Sequence, residues 1–183
     1  AMMPGDPDWR GRGLGRRLLD AAMDAIPPDR TIRLDATPLG RPLYESAGFL
    51  DEAAITRHVR PPGASGEAPA PPARPTVRSV RRATLADIPH LASYDRDVFG
   101  GDRRLVFEWA IADRPECAWI HAGDPPQYCL GRKGRLFNQI GPVVAVDEET
   151  ACAVAREAIE ATPGGALTVD AVDAWPVFTA WLR

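Results

Sequence analysis

The chain has 183 residues, is 45% hydrophobic and 26% charged, and carries a formal net charge of −3. It can bury one core of ordinary size or two small ones, and the charge balance excludes a general nucleic-acid coat or a polybasic membrane anchor. Three cysteines, Cys117, Cys129 and Cys152, exclude a disulfide framework; no apolar run reaches the ~20 residues of a membrane helix and no leader pattern opens the chain, so a cytoplasmic protein is expected.

The residues divide unevenly. Arg60 to Thr76 holds six of the 19 prolines and nothing large to bury, which reads as a linker of extended conformation. It separates a first domain, residues 1–60, from a second, residues 77–183, with 61–76 between them. In the first, Leu14, Leu18, Ala22 and Ala25 share one helical face until Pro27-Pro28 stops the helix. TIRLDAT alternates, with Ile32, Leu34 and Ala36 on one side, and predicts a half-buried strand at 31–37. Pro42 to Ala47 predicts a short helix capped by Gly48, and Phe49 to Val59 a strand.

The second domain opens with a strand at 77–82. Thr84 and Asp87 form a capping-box pattern before a helix to Phe99. A helix at 103–112 and strands at 117–121, 127–131 and 136–146 follow. Asp147 caps a helix to Ala161, with Ala151, Val154, Ala155, Ala158 and Ile159 inward. ALTVDA is a strand, and a last helix starts at Pro176. The fold class is α/β with a mixed sheet.

The chemistry-bearing stretch is Trp9-Arg10-Gly11-Arg12-Gly13-Leu14-Gly15-Arg16-Arg17, directly before a helix. Glycines let backbone N–H groups converge, the helix dipole adds partial positive charge, and the arginines add full charge, which together make a diphosphate cradle. No Gly-Lys-Ser/Thr follows, and the glycine spacing is not that of a dinucleotide fingerprint.

Here the sequence resembles the GCN5-related N-acetyltransferase (GNAT) superfamily. Arg10, Gly13 and Gly15 match its acetyl-CoA loop, and Leu43-Tyr44-Glu45-Ser46-Ala47-Gly48-Phe49 matches its tyrosine helix and the Gly-Phe after it. The stretch from Leu34 to Phe49 resembles bacterial members that carry a second, degenerate domain of the same kind. The resemblance implies an acetyl-CoA N-acyltransferase-like fold. It implies acetyl transfer from acetyl-CoA, as cosubstrate, to an amine that attacks the thioester directly. Arg10, Gly11, Arg12, Gly13, Leu14, Gly15 and Arg16 would hold the cosubstrate's diphosphate, with the Arg10 and Arg16 side chains among the contacts. Thr37, where many members have asparagine, would lie along its pantetheine arm, and Tyr44 would protonate the departing thiolate. No metal is implied. The acceptor class is a small-molecule or peptide amine.

Against the family pattern, few residues precede the loop, so the first domain reads as truncated at its N-terminus. The second lacks its last strand. Either the chain holds two partial units, or the halves complement one another in one permuted composite domain. In the second, Asp147-Glu148-Glu149 stand where a diphosphate would sit, and the last helix has no tyrosine. The alternative to an enzyme is therefore a catalytically silent interaction or sensor domain on the same fold. Without the motif pair, the Arg/Gly loop is a solvated turn and Tyr44 a half-buried helix tyrosine. Nucleic-acid binding through Arg10, Arg12, Arg16 and Arg17 lacks interleaved aromatics. Exposed strand edges favour a homodimer.

Overall fold

The computed structural model describes residues 7–9, 11–63 and 80–183. The chain divides between residues 52 and 53 into an N-terminal and a C-terminal unit.

The N-terminal unit contains α1 (Leu14–Asp24) and α2 (Arg41–Ser46). Its buried α1 residue is Leu19, with Gly15 and Met23 half-buried one turn to either side. The face expected inward, Leu14, Leu18, Ala22 and Ala25, is exposed instead. Two stripes of period four compete on this helix. Close approach to α2 selects the one containing Gly15, where an added Cβ would stand 3.6 Å from Leu43. Residues 31–37, expected as a strand, carry no ladder. Ile32 and Leu34 keep the alternation and are half-buried between exposed neighbours. The pattern is a strand's, but a strand also needs a hydrogen-bonded partner, and among the described residues it has none.

The C-terminal unit is built on six strands, β1 (Ile55–Arg60), β2 (Val80–Arg82), β3 (Trp119–His121), β4 (Gln127–Arg132), β5 (Asn138–Val144) and β6 (Leu167–Val172). Its helices are α3 (Ile88–Phe99), α4 (Arg104–Asp113), α5 (Glu148–Glu160) and α6 (Pro176–Trp181). The sheet runs β1-β6-β5-β4-β3-β2 and is mixed: β5 and β6 are parallel, the other neighbours antiparallel. Residues 77–79 and 64–76 of the expected opening strand and linker lie outside the described residues. The strand expected from Phe49 to Val59 in the first domain is shorter and is β1, with residues 49–54 outside any ladder. It lies at the edge of this sheet with Ile55 opposite Val172 and Arg60 opposite Leu167.

The remaining elements follow their sequence signals closely. Thr84 and Asp87 form the capping box ahead of α3. Asp147 caps α5 by accepting from the Thr150 amide at 2.7 Å. All five residues expected inward on α5 are buried, and they pack with Ile140, Leu167, Val169, Ala171, Phe178 and Trp181 on one face of the sheet. On the other face, Ile88, Leu91, Phe107 and Ile111 of α3 and α4 cover Ile120, Tyr128 and Leu130. Each such fully buried side chain contributes about 1.5–3 kcal/mol.

A polar chain stitches the sheet together beyond these helices. Arg57 grips Asp170 with two hydrogen bonds of 2.7 Å. Gln139 donates to the same carboxylate at 3.2 Å and accepts from Arg132 at 2.9 Å. Four strands, β1, β6, β5 and β4, are thus joined side chain to side chain.

Candidate functional site

In the N-terminal unit, Gly11 and Gly13 adopt left-handed φ values of 76° and 70°. A Cβ at either would meet nothing within 4 Å among the described residues. Both features fit a backbone turned outward around an open space, a conformation only glycine adopts without strain. Gly13 is also the N-cap of α1, so no side chain caps the helix, and its first turn holds no acidic residue. Its leading amides, from Leu14 onward, lack intrahelical acceptors by helix geometry. The result, among the described residues, is a helix N-terminus with a positive field and no side-chain cap.

The arginines of the loop have different surroundings. Arg12 stacks over the Trp9 ring at 4.6 Å and is exposed. Arg10 lies outside the described residues. Arg16, expected to turn its side chain to the diphosphate, is committed elsewhere. Its guanidinium donates to Asp20 at 2.7 Å, to the Ser46 carbonyl at 3.2 Å and to the Ser46 hydroxyl at 3.3 Å. What Arg16 leaves at the loop is its backbone amide.

These bonds tie α1 to the helix that carries Tyr44. That helix ends as the sequence requires. Gly48, at φ 88°, donates to the Glu45 carbonyl at 3.0 Å, and Phe49 donates to the Tyr44 carbonyl at 3.1 Å. This is a Schellman ending, which calls for glycine at that position and an apolar contact across the cap. Tyr44 and Phe49 supply the contact edge to face, with ring centroids 6.0 Å apart. Tyr44 is half-buried. At the other end of α2, the Thr37 carbonyl accepts from the Gly40 and Arg41 amides at 2.9 Å. A Cβ on Gly40 would stand 3.4 Å from the Tyr44 ring and 3.5 Å from the Thr37 hydroxyl. Thr37, Gly40 and Tyr44 therefore converge, and Gly15 and Arg16 reach the same helix from the loop side.

The corresponding corner of the C-terminal unit is closed by its own acids. Asp147 takes the Thr150 amide and hydroxyl, at 2.7 and 3.1 Å. Glu148 accepts from the Phe178 amide at 2.7 Å and so caps α6. The parallel β5–β6 ladder covers only Asn138 to Ile140 before the strands part. Among the described residues no three His, Cys, Asp or Glu side chains are grouped to hold a metal, and no helix is long and apolar enough to cross a membrane.

Sequence reasoning missed a buried network in this unit. Asp95 is fully buried, accepts from the Arg103 guanidinium at 2.9 and 2.5 Å, and accepts from the Tyr128 hydroxyl. Burial and the adjacent carboxylate hold the Tyr128 phenol well above its usual range. The available signal was an aspartate on the inward stripe of α3, four residues beyond Leu91 and three beyond Ala92.

The fold and this corner find matches among known proteins. A sequence model of the acetyltransferase (GNAT) domain matches residues 91–183, and a second of the same description matches residues 2–57. The chain belongs to the GNAT acetyltransferase family. It is 27% identical over 151 residues to the uncharacterised N-acetyltransferase YitH of Bacillus subtilis, covering 81% of this chain and 51% of that protein. The solved structure of a candidate acetyltransferase from Pyrococcus horikoshii superposes with a TM-score of 0.63 at 23% identity, over 96% of this chain and 56% of that one. A GCN5-related N-acetyltransferase from Sphaerobacter thermophilus gives 0.55 at 16% identity, over 91% and 61%. These two share the fold. The chain thus spans about half the length of the curated relative it matches.

Proposed function

We propose that the chain carries the acetyl-CoA-binding part of an N-acetyltransferase that acetylates a small-molecule or peptide amine. The observation that carries this reading is the N-terminus of α1, opened by two left-handed glycines and tied to the helix of Tyr44. Acetyl-CoA fits that corner chemically, because a diphosphate needs amide donors and positive charge, and the first turn of α1 holds no carboxylate. Both family matches are to the transferase domain, so a catalytically silent domain is not favoured. Free, buried cysteines accord with the cytoplasmic setting in which acetyl-CoA is used.

In this mechanism the backbone of Gly11 to Arg16, with the Arg10 and Arg12 side chains, holds the diphosphate. Thr37 and the segment before it lie along the pantetheine arm. Acetyl-CoA supplies an activated thioester. The amine nitrogen bonds to the acyl carbon, the carbon–sulfur bond breaks, the sulfur takes a proton from the Tyr44 hydroxyl, the amine's extra proton leaves to solvent, and the Tyr44 phenolate takes a proton back from solvent. Orientation and proton placement are what the chain contributes.

The test is CoA release against a panel of amines. Tyr44→Phe lowers kcat about 100-fold while leaving acetyl-CoA affinity unchanged. Equal turnover by the variant and the wild type would remove Tyr44 from the mechanism.

A further inference from the structure

We propose that the outer face of α4 pairs with the same face of a second copy of this chain across a two-fold axis. The helix reads RLVFEWAIAD, with seven apolar residues and the charges Arg104, Glu108 and Asp113 on its exposed side. Phe107, Ala110 and Ile111 face the core. On the opposite side Leu105 is 78% exposed, Trp109 50% and Val106 44%, and Leu85, in the turn before α3, is 58% exposed. Arg104, Glu108 and Asp113 stand among them, so these apolar residues form an exposed patch rimmed by charge, which marks a contact surface. A groove of about 490 Å³ runs beside it, lined by Leu85, Ile88, Pro89, Arg104, Glu108 and Ala112.

The charges on this face select the occupant. Arg104 and Glu108 are the charged residues of the groove and stand four apart on one helix. Among the described residues neither is in an ion pair. One positive and one negative group, one turn apart, are self-complementary when two copies of the helix meet antiparallel. Arg104 then faces the partner's Glu108, and Glu108 the partner's Arg104. Leu105 and Trp109 are also four apart and are centred one residue further along the helix, so the same arrangement brings Leu105 beside the partner's Trp109 with a small offset along the helix axis. A uniformly acidic or basic partner would meet one like charge in the groove, which a second copy avoids.

The experiment is sedimentation velocity on the whole chain across the micromolar range, with far-UV circular dichroism to establish that each variant is folded. The wild type sediments as a dimer of the 19.8 kDa chain. Trp109→Ser raises the dimer dissociation constant at least about tenfold, since a tryptophan at the centre of an interface dominates its energy. If that variant does not fold, the exposed Leu105→Ser serves the same purpose. Glu108→Arg places two arginines against each other and also dissociates the dimer, and adding Arg104→Glu restores it. A monomer at all concentrations overturns the proposal. So does a dimer indifferent to these changes, because it uses another face. Failure of the double exchange to restore the dimer overturns the two-fold arrangement.

Discussion

Replacing Asp95 by alanine strikes a buried, charged network of the C-terminal unit. The carboxylate is completely buried and receives three donors, two from Arg103 and one from Tyr128. Without it, the Arg103 guanidinium, whose side chain is 19% exposed, is left between the Phe99 and Phe107 rings at 4.1 and 5.9 Å with no counter-charge. The buried Tyr128 hydroxyl loses its acceptor at the same time. Breaking one side of such a buried pair costs about 3–5 kcal/mol. Tyr128→Phe leaves the Asp95–Arg103 pair whole and costs about 1 kcal/mol. The assay is urea unfolding at neutral pH, read by tryptophan fluorescence, since Trp109, Trp119, Trp175 and Trp181 all lie in this unit. At a slope of about 2 kcal/mol per molar urea, Asp95→Ala lowers the midpoint by roughly 2 M and Tyr128→Phe by roughly 0.5 M. Equal, small shifts for the two variants would refute the reasoning, because they would mean the charges are solvated rather than mutually dependent.

Three further outcomes are expected. Arg81, beside the capping box, holds the Asp87 carboxyl well below its usual range. A depressed carboxyl stabilises above its unfolded pKa of about 3.9 and loses that contribution as pH falls further. Asp87→Asn therefore costs about 1 kcal/mol at pH 7, and the gap to wild type narrows in urea titrations at pH 3. Burial and the nearby Glu148 push the Cys152 thiol up to about 11, and burial raises Cys117 and Cys129 as well, so a thiol reagent labels no cysteine quickly in the native chain and all three in denaturant. Arg16 joins α1 to Ser46 on α2. A double-mutant cycle of Arg16→Gln and Ser46→Ala on CoA release shows coupling of about 0.5 kcal/mol, whereas additivity would make the tether incidental.

Most of the C-terminal unit was legible because its signals are local. A threonine three residues before an aspartate, an aspartate ahead of an apolar stripe, and glycines after helices each fix a terminus by hydrogen bonds among near neighbours. The N-terminal half was harder because its decisive facts are not local. The residues from Ile55 to Arg60 read as a strand from any viewpoint. Which sheet they join depends on the register with β6, and the side-chain pairs that fix it, Arg57–Asp170 and Thr56–Asp173, are more than a hundred positions apart. TIRLDAT has a strand's alternation without a ladder. In α1 the residues offer two stripes, and contact with Leu43 decides between them. The Tyr44-Gly48-Phe49 landmark was visible as a motif, and the Schellman ending supplies its physical reason. Arg16 shows the limit of counting charges: its guanidinium serves α2, which no spacing rule could reveal.

Acetyl-CoA binding to the chain, measured by titration calorimetry, tests the central claim most directly. The wild type binds with one site per chain. Gly13→Ala, which forces a side chain into a backbone at φ 70° and over the open space at the helix start, weakens affinity at least about tenfold with the fold retained. Absence of binding at millimolar acetyl-CoA in folded protein, or binding indifferent to Gly13→Ala, would contradict the account.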